Sequence, residues 1–378
     1  MSKNVLITGG AGFIGSNLAL KLVELGNKVT VLDNLSPQIH GDNHDLSPLF
    51  CSIKDKVNFI RGTVESREDW VTALADIDTV VHLAAETGTG QSMYQIKRYS
   101  DVNIGGSAIL LDMLANEPHN ISKLIIASSR SIYGEGKYLC SEHGAVYPKA
   151  RTDIDMSSGD FNVKCPLCSR DVELLATDEE SKIHPSSIYG VTKQVQEQMF
   201  LITGNSLGID TVALRFQNVY GAGQSLSNPY TGILSIFSTR IKNGNDINIF
   251  EDGLESRDFV YIDDVVDSIC LAISCNGAAG KAYNVGAGVS TDVLTVAQTL
   301  KDIYQSNSTI LVSGNYRVGD IRHNYADLTM VKADLGFEPK VSFAQGMKKF
   351  TDWVNLQDVQ ADRYDQSIDE MKKKGLYK

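Results

Sequence analysis

Short runs of β-branched and aliphatic residues alternate with longer amphipathic stretches through the first half of the chain. Residues 5–8 (VLIT), 28–33 (KVTVLD), 57–62 (VNFIRG), 78–85 (DTVVHLAA) and 123–129 (KLIIASS) read as strands, and most of the segments between them keep a helical period. Strands alternating with helices call for an α/β fold, a doubly wound parallel sheet with helices on both faces. Between 138 and 176 the rhythm breaks into Gly, Pro, Cys, Asp and Lys with no long apolar period, and it resumes in a helix over about 188–203. That stretch reads as an insertion, and without an apolar period it is expected to form no core of its own.

Beyond 211–221 (TVALRFQNVYG) the pattern is mixed. A short run at 247–251, a longer one at 257–273 (RDFVYIDDVVDSICLAI), 281–286 (KAYNVG) and a helix over about 291–305 suit a second, smaller lobe. The expected division is 1–217, interrupted by 138–176, then a mixed α/β lobe over 218–378 that forms a substrate surface. From that lobe about 257–285 returns to the first. The last twenty or so residues are charged and carry tyrosines, and read as a solvated helix.

Composition narrows the function classes. The formal net charge of −11 repels phosphate backbones, and Lys372–Lys374 is the one basic cluster, so nucleic acid is not expected as a partner. No apolar run approaches the roughly 20 residues that span a bilayer, and NVLITGG follows the start without a cleavable signal, so a cytoplasmic protein with no membrane partner is expected. Six cysteines in a reducing compartment are not a disulfide framework, and only the group at 140–168 asks for a chemical role.

The segment GGAGFIG follows the first strand directly and opens a helix, giving Gly9, Gly12 and Gly15 at three-residue spacing. Glycines there permit a sharp turn and a close approach to a pyrophosphate, and the helix N-terminus offers N–H groups to it. The second strand ends on Asp33, about 20 residues further on, where a carboxylate accepts from ribose hydroxyls and repels a 2′-phosphate. Together they point to NAD. Tyr189 and Lys193 share one face of a helix start at i, i+4, where the ammonium would favour the phenolate and lower a pKa normally near 10. Ser129, at the end of a strand, could bond a substrate hydroxyl or ketone beside Tyr189.

These motifs, with VVHLAA, DVNIGGS, SSRSIYG, YGVTK, LRFQNVYG, SRDFVYIDDV, YNVGAG and RVGDIRHNYAD in this order, resemble the extended short-chain dehydrogenase/reductases, specifically the nucleotide-sugar epimerases and dehydratases. The resemblance implies a Rossmann-type sheet, a nucleotide-sugar substrate and a homodimer built on the Tyr189 helix and the helix before KLIIASS, whose apolar AILLDML (108–114) is compatible with one. It implies that Tyr189 is the general base, Lys193 its activator and NAD anchor, and Ser129 the third member. Cofactor contacts are implied for Phe13, Ile14, Asn34, Val64, Leu83, Ala84, Ala85 and Asn103. Thr63 stands where the family usually has an acid, so its hydroxyl is expected to meet the adenine amine. Substrate contacts are implied for Arg130, Ser131, Asn218, Arg257 and Arg317, and for Asp320 at the nucleoside ribose. Asn324 falls where related 4-epimerases place a residue that controls sugar size. Arg322 and His323 read either as recognition groups or as partners of nearby carboxylates.

In the dehydratases an Asp-Glu pair follows the Ser or Thr, whereas Arg130 and Ser131 follow here. C4 epimerisation of a dTDP- or UDP-hexose through a 4-keto sugar is therefore expected, with a reductase or a 4,6-dehydratase as alternatives. A different class, a non-catalytic NAD-binding redox or zinc sensor, would carry a broken triad.

The 59 residues between Ser129 and Tyr189 hold Cys140-x2-His143 and, 21 residues later, Cys165-x2-Cys168. Three thiolates and an imidazole at this spacing are the ligand set of a closed, structural zinc site, with unliganded surface thiols as the alternative. The site is expected to hold the insertion as a rigid flap beside the active-site mouth. A cysteine-bearing insertion here, with PQIHG after Asp33 and GQSMYQI after the fourth strand, most resembles the dTDP-L-rhamnose 4-epimerase-like subgroup.

Overall fold

A computed structural model describes residues 2–228, 230 and 232–378. Seven parallel strands form the central sheet, in the order Lys281–Val285, Asp210–Phe216, Lys123–Ser129, Thr79–His82, Asn4–Thr8, Lys28–Asp33 and Asn58–Arg61. Every residue of Thr79–His82 and Lys123–Ser129 is buried, the continuous apolar reading of strands covered by helices on both faces. The succession of strands runs outward in opposite directions from the parallel neighbours Asn4–Thr8 and Thr79–His82, which opens a crevice beyond their carboxyl ends.

The helix Ile188–Leu207 outruns its expected end and stops where Gly208 adopts φ 69°, a left-handed cap that glycine takes without strain. Its buried Glu197 pairs with buried Arg215 at 2.7 and 3.0 Å and accepts from Ser128, which locks the helix to two neighbouring strands.

The stretch 257–285 returns to the first lobe only from Ile262 onward. Ser256–Tyr261 pairs instead with Asn218–Tyr220 and Ser290–Asp292 in a small three-stranded sheet, while Lys281–Val285 closes the central one. A further two-stranded sheet, Ile247–Ile249 with Ile310–Val312, completes the smaller lobe.

Two sequence expectations are overturned. The insertion has a core: Tyr138–Cys140, Gly144–Val146 and Glu173–Leu174 form a three-stranded sheet over buried Tyr138, Cys140, Val146, Val163 and Cys165. Two of the cysteines are themselves the apolar filling, which a search for apolar periods overlooks. The C-terminal helix Tyr364–Lys373 is not solvated on all sides. Tyr364, Ile368 and Met371 bury one face, with Tyr377 beyond them.

Replacing Arg215 with Met leaves the Glu197 carboxylate buried without its cation and should cost about 3–5 kcal/mol of stability. Urea unfolding checks this, and adding Glu197→Gln should recover part of the loss.

Candidate functional site

The turn after the first strand is held open by contact distances no side chain could meet. A Cβ at Gly15 would lie 2.3 Å from the Gly9 carbonyl oxygen, and one at Gly9, whose φ is +66°, would lie 2.8 Å from Ala84 N. The helix Phe13–Glu24 that follows has no side-chain cap and no acidic residue in its first turn. Its free N–H groups and positive end therefore face the crevice, a fit for a pyrophosphate. Asp33 braces this turn by accepting from Ala11 N at 2.9 Å and Leu35 N at 2.8 Å.

One cavity of about 1150 Å3 runs from this turn to the smaller lobe. Gly9, Gly12, Phe13, Ile14, Gly15, Asp33, Asn34, Thr63, Val64, Leu83, Ala84 and Ala85 line its first half. Thr63 turns its hydroxyl to Glu65 and gives its N–H to Asp69 at 2.8 Å, so the acid missing after the third strand is replaced from the next helix, though only toward the backbone. Asn103 is the exception among the expected cofactor residues. It is fully buried off the cavity, where its amide accepts from Glu86 N at 2.8 Å and donates to Thr192 Oγ1 at 3.0 Å. Asn103 fixes the cavity wall from behind.

Ser129, Tyr189 and Lys193 all line this cavity. Ser129 Oγ accepts from Ser131 N at 3.2 Å and Ser131 Oγ at 3.0 Å, which leaves its own proton for the Tyr189 phenol. Lys193 is buried one helical turn from Tyr189. Its ammonium donates to Ala127 O at 2.7 Å and Gln196 Oε1 at 2.8 Å, and burial lowers its pKa to about 7. Burial also raises the Tyr189 phenol above its ordinary value, against hydrogen bonding from Ser129 and the positive charge of Arg130. Sequence reasoning missed Ser92, whose hydroxyl accepts the Tyr189 N–H at 3.0 Å, and Gln196, which lies one turn beyond Lys193 on the same face.

The second half of the cavity is cationic. Arg130, Ser131, Asn218, Arg257, Arg317 and Asp320 all line it, with Arg130 Nε donating to Asn218 Oδ1 at 3.2 Å. Asp320 lies between Arg257 at 2.9 Å and Arg317 at 2.6 Å, and its pKa falls well below the usual carboxylate value despite burial. Burial raises the neighbouring Glu255 to about 7.

Asn324 and Arg322 lie off the cavity. Asn324 is fully buried and donates to Thr177 Oγ1 at 3.2 Å, so it backs the wall and touches no open space. Arg322 forms a two-pronged pair with Asp252 at 2.6 and 2.7 Å and also meets Glu251 at 3.0 Å, while His323 bonds Ser256 Oγ at 2.8 Å. The carboxylate-partner reading of Arg322 therefore holds.

Outside the cavity, Cys140, His143, Cys165 and Cys168 converge, with their ligand atoms all within 4.8 Å of one another. Cys140 Sγ lies 3.7 Å from Cys168 Sγ and 3.4 Å from His143 Nδ1, and Cys165 Sγ lies 3.7 Å from the same nitrogen. Sulfurs each about 2.3 Å from a shared tetrahedral ion stand roughly 3.8 Å apart, so the donor set fits zinc.

The profile of the NAD-dependent epimerase/dehydratase family matches residues 5–150 and 170–286, leaving unmatched the part of the insertion that carries Cys165 and Cys168. A dTDP-L-rhamnose 4-epimerase from Burkholderia thailandensis is 34% identical over 93% of this chain and 95% of its own. A solved UDP-glucose 4-epimerase from Thermotoga maritima, with UDP-glucose, has a TM-score of 0.76 at 29% identity, covering 93% of this chain and 98% of that one. A UDP-glucuronic acid 4-epimerase from Bacillus cereus, with UDP-glucuronic acid and NAD, has a TM-score of 0.75 at 25% identity over 93% and 99% of the two chains.

Replacing Gly15 with Ala should eliminate bound NAD while the fold persists. Cofactor released on denaturation and far-UV circular dichroism report the two effects separately.

Proposed function

The chain belongs to the NAD-dependent epimerase/dehydratase family, and on that premise we propose that it is a nucleotide-sugar 4-epimerase with tightly held NAD. The observation that carries this reading is the meeting of Ser129, Tyr189 and Lys193 between a pyrophosphate-shaped turn and a cationic half-cavity. A dTDP-hexose is the first substrate assigned, dTDP-L-rhamnose before others, on the likeness to the Burkholderia enzyme; a UDP-hexose is the alternative.

Bound NAD supplies the acceptor and the later donor of hydride. Gly9, Gly12 and Gly15 would leave room for its pyrophosphate, and Asp33 and Lys193 would hold its riboses. Tyr189, as the phenolate that the Arg130 charge favours against burial, takes the proton of the C4 hydroxyl, and Ser129 donates to the same oxygen as it becomes a ketone. Arg257 and Arg317 hold the diphosphate while the keto sugar turns over, and Tyr189 returns the proton to the C4 oxygen. Net redox is zero. A dehydratase must also place an acid and a base at C5 and C6, and Arg130 and Ser131 occupy the two positions that follow Ser129.

Zinc held by Cys140, His143, Cys165 and Cys168 is part of this reading. It is structural, since four protein donors leave no open position. The insertion it stiffens reaches the substrate half through Arg151, which pairs with Glu251 and donates to Asp320 O at 3.2 Å. A cytoplasmic homodimer completes the proposal. AILLDML supports it less than the sequence suggested, because Leu110, Leu111, Met113 and Leu114 are already buried against the sheet. Exposed Val191 and Ile202 on the Tyr189 helix remain to be covered by a second copy. Among the described residues no helix is long and apolar enough to cross a membrane.

Incubated with UDP-, dTDP- and GDP-hexoses and no added NAD, the protein should yield the C4 epimer of one of them without net NADH, as read by NMR. Tyr189→Phe should lower kcat by about 10²–10⁴-fold with NAD retained. No turnover of any sugar, even with NAD supplied, contradicts the assignment.

Elemental analysis should find about one zinc per chain. Cys165→Ser with Cys168→Ser should remove it and raise KM with NAD content unchanged; unaltered metal content, melting and kinetics contradict the zinc site.

A further inference from the structure

The C-terminal residues 364–378 are tied into both rims of the cavity. On the arginine side their backbone pairs with the segment that carries Arg317: Tyr316 N to Lys378 O at 2.9 Å, Lys378 N to Tyr316 O at 3.0 Å and Val318 N to Leu376 O at 3.0 Å. Tyr377 packs edge-on against Phe250 at 5.3 Å, and the Arg317 guanidinium lies 5.1 Å from the centre of that Phe250 ring. On the cofactor side Glu370 accepts from the Tyr230 hydroxyl, and the Lys374 ammonium lies 5.7 Å from the Tyr94 ring. Met371 Sδ comes within 3.6 Å of the place a side chain at Gly90 would occupy. Asp153 in the insertion accepts from both Tyr316 OH and Lys378 Nζ at 2.6 Å.

Tyr364, Ile368 and Met371, at i, i+4 and i+7 of one helix, line the same cavity as Tyr189 and Arg257. A nucleotide sugar is linear in its chemistry: sugar, diphosphate, nucleoside. With the sugar at Tyr189 and the diphosphate among Arg257 and Arg317, the nucleoside extends past Arg317, where Phe250, Ile368 and Met371 make an apolar wall beside Tyr364, whose ring carries the Arg240 guanidinium at 4.5 Å. Resting on the nucleotide-sugar reading, we propose that the C-terminal segment is a substrate-binding element whose Tyr364, Ile368 and Met371 receive the nucleobase. A keto sugar that must turn over without escaping cannot be held by its own hydroxyls throughout, so the affinity has to come from the part that does not react. The tail supplies it at the end furthest from C4.

The test compares the parent with a chain ending at Arg363 and with the full-length Ile368→Ala/Met371→Ala variant. Each is titrated calorimetrically with UDP and dTDP and assayed for epimerisation. Both variants should bind the preferred diphosphate about tenfold or more weakly, with the kinetic loss falling on KM rather than kcat and resident NAD unchanged. Should the shortened chain fail to fold, the full-length variant decides. Parent-like binding in that variant, or loss of NAD along with the diphosphate, overturns the proposal. A parent that binds neither diphosphate overturns the nucleotide-sugar reading itself, and this inference with it.

Discussion

One buried polar face of the helix Ile188–Leu207 fixes the rest of the site. Lys193, Gln196 and Glu197 are all buried, and each must find partners inside the protein or cost more than its packing returns. Glu197 takes Arg215 and Ser128, Lys193 takes the Ala127 carbonyl, and Gln196 Nε2 donates to Ser107 Oγ at 2.8 Å and Asn103 O at 3.2 Å. These partners sit on different elements, so their joint satisfaction allows one rotation of the helix. Glycine lets it come close enough: a Cβ at Gly190 would lie 2.7 Å from Ser131 O, and one at Gly204 1.9 Å from Thr211 Oγ1. That rotation points Tyr189 at Ser129 and toward the mouth of the glycine turn.

What could be read from the chain was what its local order encodes. The glycine turn, Asp33, the strands of the central sheet and the Ser129, Tyr189 and Lys193 constellation lie in short segments whose residue types permit few conformations. The convergence of Cys140, His143, Cys165 and Cys168 was legible for the same reason, as two x2 spacings. That Asn103 and Asn324 lie off the cavity, and which of its two readings Arg322 takes, were not legible because a polar residue gives no sign in the sequence of which way it turns. Arg322 is decided by Asp252, 70 residues away, and Asn324 by Thr177, 147 away. The surroundings of the Tyr189 phenol were not legible for a related reason: spacing placed Lys193 near it but could not show its burial, or the Arg130 charge that opposes that burial. The C-terminal helix did carry a signal in its 364, 368 and 371 positions, masked by the charges between them.

The insertion and the tail both brace the cationic half of the cavity. Asp320 carries a carboxylate shared by two arginines, and its backbone carbonyl is held by Arg151 of the insertion. Arg317 lies on a segment whose backbone pairs with the tail. The cations proposed to meet the diphosphate are thus set in place by two parts of the chain outside the central sheet. Arg257, by contrast, spends its terminal nitrogens on Asp320 and on the carbonyls of Ser256, Ile321 and Arg322, which makes it a rigid charge. A fixed positive region suits a substrate whose diphosphate stays put while its sugar turns.

The central claim is that oxidation and reduction occur at one carbon of one substrate molecule, with cofactor that never leaves. Mass spectrometry of the products from an equal mixture of fully unlabelled substrate and substrate carrying deuterium at C4 and carbon-13 throughout the sugar tests it most directly. The account predicts that deuterium stays at C4 of the carbon-13 epimer alone; its loss to solvent or its appearance in the carbon-12 product would contradict it.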